Sequence, residues 1–341
     1  MNAPLRHDNL QGLVRALLIR AQGGPVDTRL DAQATATGIG EGVASAGGFL
    51  VPQAVAADIW TRVYSTGRLI RRCAPQPVTR KTGVTVPATS ETSRADGSRF
   101  GGVRSYWVDE GIPPTASKPK FDQISLFLKK LLTLIYATDE LIEDAAALTA
   151  YLNRVMPLEM AFTIEDQIVN GTGAGVPLGF LNSPSLIVVA AEGAQPSQTV
   201  VYQNLVKMVA RLWPGSFDTA TWVMNSDVFN AVLQITNGAG APVVIAGADG
   251  VLRLLSFPIE VCEYSPTLGS IGDVALCDFG QYLLAQESDP MESSIHVQFT
   301  TDETAFKLRY RADGSPAWKS PVTPKNATLT QSPFIAIAAR P

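Results

Sequence analysis

The sequence predicts an α+β fold: a two-part globular core carrying extensions that have no core of their own. Three observations predict it. Segments of period-two alternation, from Phe121 to Leu134 and again near the C-terminus, read as sheet strands. Segments of 3.6-residue periodicity between them read as amphipathic helices. Two long stretches, Gln22–Gly48 and Lys81–Lys118, contain little core material.

At 341 residues the chain exceeds an average domain, which predicts about two domains and burial of about three-quarters of its unfolded surface. Hydrophobic residues make up 46% and charged residues 17%, near globular norms. A net charge of −4 argues against a broad, sequence-independent grip on nucleic acid, though not against a local basic face. Cys73, Cys262 and Cys277 form no C-x-x-C pair, so neither a zinc site nor a disulfide framework is indicated. They read as buried small hydrophobes, in keeping with synthesis in a reducing compartment. No apolar run reaches the roughly 18–20 residues that span a bilayer, and the N-terminus lacks a secretory signal's layout. A soluble, non-exported protein is expected.

Leu10, Leu13, Val14, Leu17 and Leu18 predict an amphipathic helix over 9–21, docked on its own core, on a neighbour's, or less favourably on a membrane surface. An arm or linker follows to Gly48, and "GGFLVP" (Gly47–Pro52) marks entry into structured protein. Residues 53–72 predict a helix. The segment 81–118 starts strand-like at "TGVTVPAT" and returns through "GVRSYWVDEG", a hairpin without its own core that must lie on something else. Ile124, Leu126, Leu128, Leu132 and Leu134 predict one long strand. Helices are expected near 139–147 and 149–169, the second burying Leu158, Ala161, Phe162, Ile168 and Val169. Pro157 predicts a kink or a junction of two helices. A helix over 199–213, a strand in Thr219–Asn225, a helix over 226–236 and two C-terminal strands complete the chain. In the last strand Phe306, Leu308 and Tyr310 oppose Lys307, Arg309 and Arg311.

The stretch "NGTGAGVPLG", Asn170–Gly179, invites a phosphate-binding reading and fails its tests. No Lys follows its glycines as a Walker loop requires, and Val176 stands where a dinucleotide fingerprint from Gly171 needs glycine. The loop also closes a helix rather than opening one. Gly171 is expected to supply a left-handed helix stop, Gly173 and Gly175 a compact turn, and Pro177 the exit. His7 and His296 belong to no recognisable triad, and neither G-x-S-x-G nor H-E-x-x-H occurs. Adjacent acids such as Asp109–Glu110, Glu143–Asp144 and Glu165–Asp166 point about 100° apart on a helix and read as solvated or salt-bridged. The basic face of Lys307, Arg309 and Arg311 suits phosphate or, preferably, acids on an adjacent strand or subunit. No catalytic constellation, cofactor or metal site is expected.

A coreless arm and hairpin around a globular core suggest a self-assembling structural protein. The order of motifs from about Gly47 to Pro324 resembles the major capsid proteins of tailed bacteriophages, the Hong Kong ninety-seven-type capsid fold. The resemblance rests on "GGFLVP", "YWVDEGIPPTASKPKFDQISLFLKKL" (Tyr106–Leu131), "TDELIEDA" (Thr138–Ala145) and "EDQIVNGTGAGVPLGFL" (Glu165–Leu181). It continues through "TWVMN", "LLSFPIEVCEYSP", "GDVALCDFGQYLLA" (Gly272–Ala285) and "DETAFKLRYRADGSP" (Asp302–Pro316).

That resemblance implies an N-terminal arm over 1–48, an extended hairpin loop over 80–118 and an axial domain over 181–292. It implies a peripheral domain over 49–79, 119–180 and 293–330, with a long spine helix and long strands. It implies hexamers and pentamers forming an icosahedral shell in the virion, assembled in the host bacterial cytoplasm around double-stranded DNA without sequence specificity. Implied partners are a portal protein and a scaffold or decoration protein, with no membrane. Intersubunit contacts are expected from Arg94, Arg99, Trp107 and Glu110 in the hairpin and from Lys307, Arg309 and Arg311. Gly111 and Ile112 follow Glu110, and no asparagine lies between Ser293 and Arg311, so the family's isopeptide cross-link is not expected. The short segment before the hairpin, starting at Met1, predicts no proteolytic removal. An encapsulin-like compartment packaging cargo enzymes is the first rival reading, a soluble enzyme the second.

The predicted helix at 9–21 is expected to pack beneath neighbouring subunits. Deleting residues 1–22 should therefore impair assembly; normal shells from that deletion in electron micrographs would reject this role.

Overall fold

The computed structural model describes residues 67–78, 83–89, 91–111, 113, 115–138, 146–248, 250–288, 292–298 and 303–341. The predicted helix at 9–21, the arm, "GGFLVP" and most of the predicted helices at 53–72 and 139–147 lie outside these residues. Early strands are β1 (Ala74–Gln76), β2 (Val84–Thr89), β3 (Phe121–Leu126) and β4 (Lys129–Thr138), followed by helix α1 (Ala146–Asn170). Next come β5 (Ile187–Val189), α2 (Tyr202–Ala210), β6 (Thr221–Met224), α3 (Ser226–Leu233), β7 (Val244–Ala246), β8 (Leu252–Leu254) and β9 (Phe257–Val261). The chain ends with β10 (Val274–Cys277), β11 (Tyr282–Ser288), β12 (Glu292–Gln298), β13 (Glu303–Pro316) and β14 (Phe334–Ile337).

The chain divides into two compact units. One includes Lys130–Phe162 and Ser288–Tyr310. In it β12 pairs antiparallel with β13, Glu292 opposite Lys307, and β4 also pairs with β13. Phe306, Leu308 and Tyr310 are buried, as their alternation predicts.

The other unit comprises Arg68–Lys129, Thr163–Glu287 and Arg311–Pro341. Its centre is a seven-stranded sheet in the order β5-β14-β10-β6-β9-β8-β7. "TWVM" in β6 and "VALC" in β10 are buried at every position, the near-continuous apolar pattern of strands covered on both faces. Trp222, Leu276 and Ile335 of this sheet share one core with Met208 of α2 and Val228 of α3. The Trp222 indole N–H donates to the Leu254 carbonyl at 2.8 Å, so the largest buried ring leaves no donor unpaired. Asn225 caps α3 by accepting from the Val228 N–H at 2.9 Å. Asp273 is fully buried; it pairs with Arg340 and accepts the N–H groups of Gly269 and Val274, both at 2.8 Å. β14 lies inside this sheet, parallel to β5 and antiparallel to β10, so the sheet draws on residues beyond the 181–292 span expected for it.

Several sequence expectations are corrected. The long strand is interrupted at Phe127–Leu128, and its buried face changes there. Ile124 and Leu126 are buried, whereas Leu132 and Leu134 are 43% and 45% exposed. The cause is a side chain: the Phe127 N–H donates to Asp313 Oδ2 at 2.8 Å instead of to a ladder carbonyl. α1 is one helix through Pro157 rather than a meeting of two. Its buried row is Met156, Met160, Ile164 and Ile168, spaced i, i+4 on both sides of the proline. Leu158 and Phe162, expected in that row, are 36% and 43% exposed. The partner of β2 is β3, with Val84 opposite Leu126 and Thr89 opposite Phe121. Arg104–Asp109 forms no strand; Arg99 and Val103 instead exchange backbone hydrogen bonds of 3.0 and 2.7 Å across a tight turn.

Candidate assembly surfaces

The glycine loop closes on itself. The Gly173 N–H donates to the Pro177 carbonyl at 3.2 Å, and the Gly179 N–H to that of Gly171 at 2.8 Å. Gly173 and Gly175 hold φ of +81° and +75°. Gly171 is not left-handed, contrary to expectation. Its N–H continues the helix by donating to Gln167 at 3.0 Å. A Cβ at Gly171 would lie 2.2 Å from the Pro177 carbonyl oxygen, so space, not φ, requires glycine there. Pro177 is buried and closes the turn. The loop's interior presents carbonyls: Lys129 Nζ donates to Val176 at 2.6 Å and to Gly173 at 3.2 Å, and pairs with Asp313 Oδ1 at 2.9 Å. Phosphate cradles need converging N–H groups. This loop cradles an ammonium.

The four hairpin candidates fall into two pairs. Arg94 is held within its own chain, donating from Nε to Glu91 Oε1 at 2.7 Å and from Nη2 to Oε2 at 3.3 Å. Arg99 anchors the turn to Val103 through its backbone. Trp107 and Glu110 project into solvent, and Trp107 is exposed to 105% of its reference area. Val103, Tyr106 and Val108 around it are exposed too, as are Phe100 and Phe121. Of these only Trp107 was expected from sequence; the available signal was a run of large apolar residues beside no core. Exposed apolar clusters of this kind mark interaction surfaces.

On the basic strand, Lys307 stands across the ladder from Glu292, an acid on the adjacent strand. Lys307, Arg309 and Arg311 are half-buried rather than fully solvated, and Arg311 Nε is buried without a hydrogen-bond acceptor.

Glu165, read from sequence as solvated or salt-bridged, is instead buried. Its Oε1 accepts the N–H groups of Leu69 and Ile70 at 2.6 and 3.1 Å, and its Oε2 accepts the Tyr264 hydroxyl at 2.9 Å. One carboxyl thus ties the 68–73 segment and the β9–β10 connection to α1. Arg68 and Arg72 reinforce the junction by pairing with Glu260 at 3.1 and 3.3 Å. Burial pushes the Glu165 carboxyl above its ordinary range, and the three donors oppose that shift only partly. Burial likewise pushes the Cys262 thiol up to about 11 and those of Cys73 and Cys277 well above normal. All three cysteines are therefore free, buried and unreactive thiols. Among the described residues no group of three or more His, Cys, Asp or Glu is placed to hold a metal ion, and no helix is long and apolar enough to cross a membrane.

The model of the phage capsid family matches residues 47–325. The chain belongs to the phage capsid family. It is a major capsid protein, a structural subunit that self-assembles into the shell of the virion. Solved capsid proteins share its fold at low identity. The capsid of an empty GTA particle aligns over 87% of this chain and 98% of its own, with TM-score 0.61 and 17% identity. The protein of Microbacterium phage Oxtober96 aligns over 85% and 93%, with TM-score 0.57 and 10% identity. That of Mycobacterium phage Bobi aligns over 87% and 98%, with TM-score 0.54 and 12% identity. No curated protein matches in sequence. The encapsulin-like reading is not favoured by these matches.

Two substitutions test the junctions of the capsid chain. Lys129→Ala leaves the buried Asp313 carboxylate and two loop carbonyls without their cation. It should cost about 2–3 kcal/mol in urea unfolding of the unassembled chain, and an unchanged midpoint would remove the ammonium cradle from the structural account. Because Glu165's pKa is raised in the folded state, its stabilising contribution is complete below the unfolded value of about 4.3 and is lost as pH rises through the native value. Glu165→Gln keeps an acceptor and cannot ionise, so its stability relative to wild type should improve steadily from acid to neutral pH. A pH-independent difference contradicts the raised pKa.

Proposed function

We propose that this subunit builds an icosahedral shell of hexamers and pentamers that encloses double-stranded DNA. Trp107 carries the reading. A fully exposed tryptophan among exposed Val103, Tyr106 and Val108 has no cover among the described residues, and burial against a neighbour supplies the missing apolar contact. The hairpin segment, 80–118, then lies on the adjacent subunit, and the predicted 181–292 region, extended by β14, faces the axis of each capsomer. The N-terminal arm packs beneath neighbours. Lys307, Arg309 and Arg311 strengthen the strand side of the interface, with Glu110 supplying an acid from the hairpin.

A net charge of −4 supports enclosure of DNA as cargo rather than tight adsorption to it. A portal protein occupies a vertex of such a shell for DNA entry, and a scaffold or decoration protein joins the self-assembling shell in the host bacterial cytoplasm. With no cross-link in this reading, the shell is held by non-covalent contacts.

Electron microscopy of the purified full-length chain tests the proposal directly. Closed shells built from this one chain are expected, and particles recovered from infected cells should protect DNA from nuclease. A compact monomer or small oligomer under assembly conditions would overturn the reading.

A further inference from the structure

A cleft of about 430 Å³ opens beside the base of the hairpin. This volume lies within the roughly 300–1,000 Å³ range of binding pockets. Its floor includes Trp213 and Trp318, tilted against each other with ring centroids 5.3 Å apart. Leu283 adds an apolar wall, and Arg94 and Lys319 place cations on the lining. The Trp318 indole N–H is satisfied by Gln281 at 3.1 Å, so that ring presents its apolar face without an unpaired donor.

Phe100 forms another stretch of the wall, and its backbone is unusual. It holds φ of +50°, a conformation that bulky residues rarely adopt. Its ring is nevertheless 69% exposed. Strain of this kind persists at sites where a side chain must be displayed.

We infer that this cleft receives Trp107 of a second copy of the chain. The inference rests on the shell-building reading and names the contact that the hairpin makes. Among the described residues nothing covers Trp107, which is completely exposed. The cations on the cleft lining are each already paired, Arg94 with Glu91 and Lys319 with Asp122, both at 2.7 Å, so the cleft offers the ring an apolar, aromatic seat with no uncompensated charge at those two positions. Ring and seat are different patches of one chain, which makes the contact head-to-tail. Such contacts close into rings, whereas a self-complementary patch stops at a dimer. An aromatic anchor seated in an aromatic pocket has the form of an interface hot spot.

The test uses full-length chains. Copies carrying Trp107→Cys are mixed as a minority with copies carrying Ser320→Cys, a residue on the cleft lining, and an excess of wild type. After assembly the shells are treated with a short thiol–thiol cross-linker. The three native cysteines are buried, so the background is low. A cross-linked dimer that forms only when both variants are present supports the contact. Shells that form without this dimer overturn it and leave the shell-building reading intact. Absence of shells from wild type overturns both. Independently, Trp107→Ala should raise the concentration needed for assembly at least tenfold while Trp107→Phe recovers most of the loss. Equal assembly by Trp107→Ala and wild type also rejects the contact.

Discussion

One ammonium group holds together three stretches of chain that are distant in sequence. Lys129, at the start of β4, reaches the glycine loop after α1 and the Asp313 carboxylate near the end of β13. Asp313 in turn takes the Phe127 and Gly314 N–H groups at 2.8 and 2.9 Å. The Gly314 carbonyl accepts from Leu178, and the Leu178 carbonyl accepts from the Tyr282 hydroxyl, at 2.8 and 2.9 Å. Every polar group in this relay has a partner, which is the condition for burying it at acceptable cost. The relay sets where β3 stops, how the loop after α1 folds and how the chain leaves it. Phe180, just beyond the loop, stacks on Phe334 of β14 with centroids 5.9 Å apart, so the polar relay passes directly into the apolar core.

Glu165 has the corresponding role further back along α1. It sits between two helical rows with different destinations: Met156, Met160, Ile164 and Ile168 are buried by the chain itself, whereas Leu158 and Phe162 remain exposed. A subunit that assembles has to satisfy its buried polar groups internally while leaving some of its apolar surface for other copies. Here Lys129, Asp313 and Glu165 are satisfied internally, and among the described residues exposed apolar side chains lie on the irregular hairpin and along one side of α1.

Local periodicity made the element types legible. β6 was visible as the strand in Thr219–Asn225, and β13 as a strict alternation of Phe306, Leu308 and Tyr310 with basic residues. What periodicity misread depended on side chains far away. The change of face at Phe127 follows from Asp313, some 186 positions later, and counting every second residue carries no trace of it. The burial of Glu165 follows from donors at Leu69, Ile70 and Tyr264 that no spacing rule connects. The glycine loop lacks the lysine a Walker loop carries after its glycines, and the lysine it does bind comes from β4, where no motif rule looks for it. The cleft was invisible because Trp213 and Trp318 meet only after folding.

The position of β14 bears on synthesis. This strand occupies an interior place in the seven-stranded sheet, between β5 and β10, and Phe334, Ile335, Ala336 and Ile337 are wholly buried there. Until a ribosome has delivered these residues, β5 and β10 face an empty lane and the sheet cannot close. Interrupted translation products that stop short of residue 334 therefore lack the strand that fills the lane between β5 and β10.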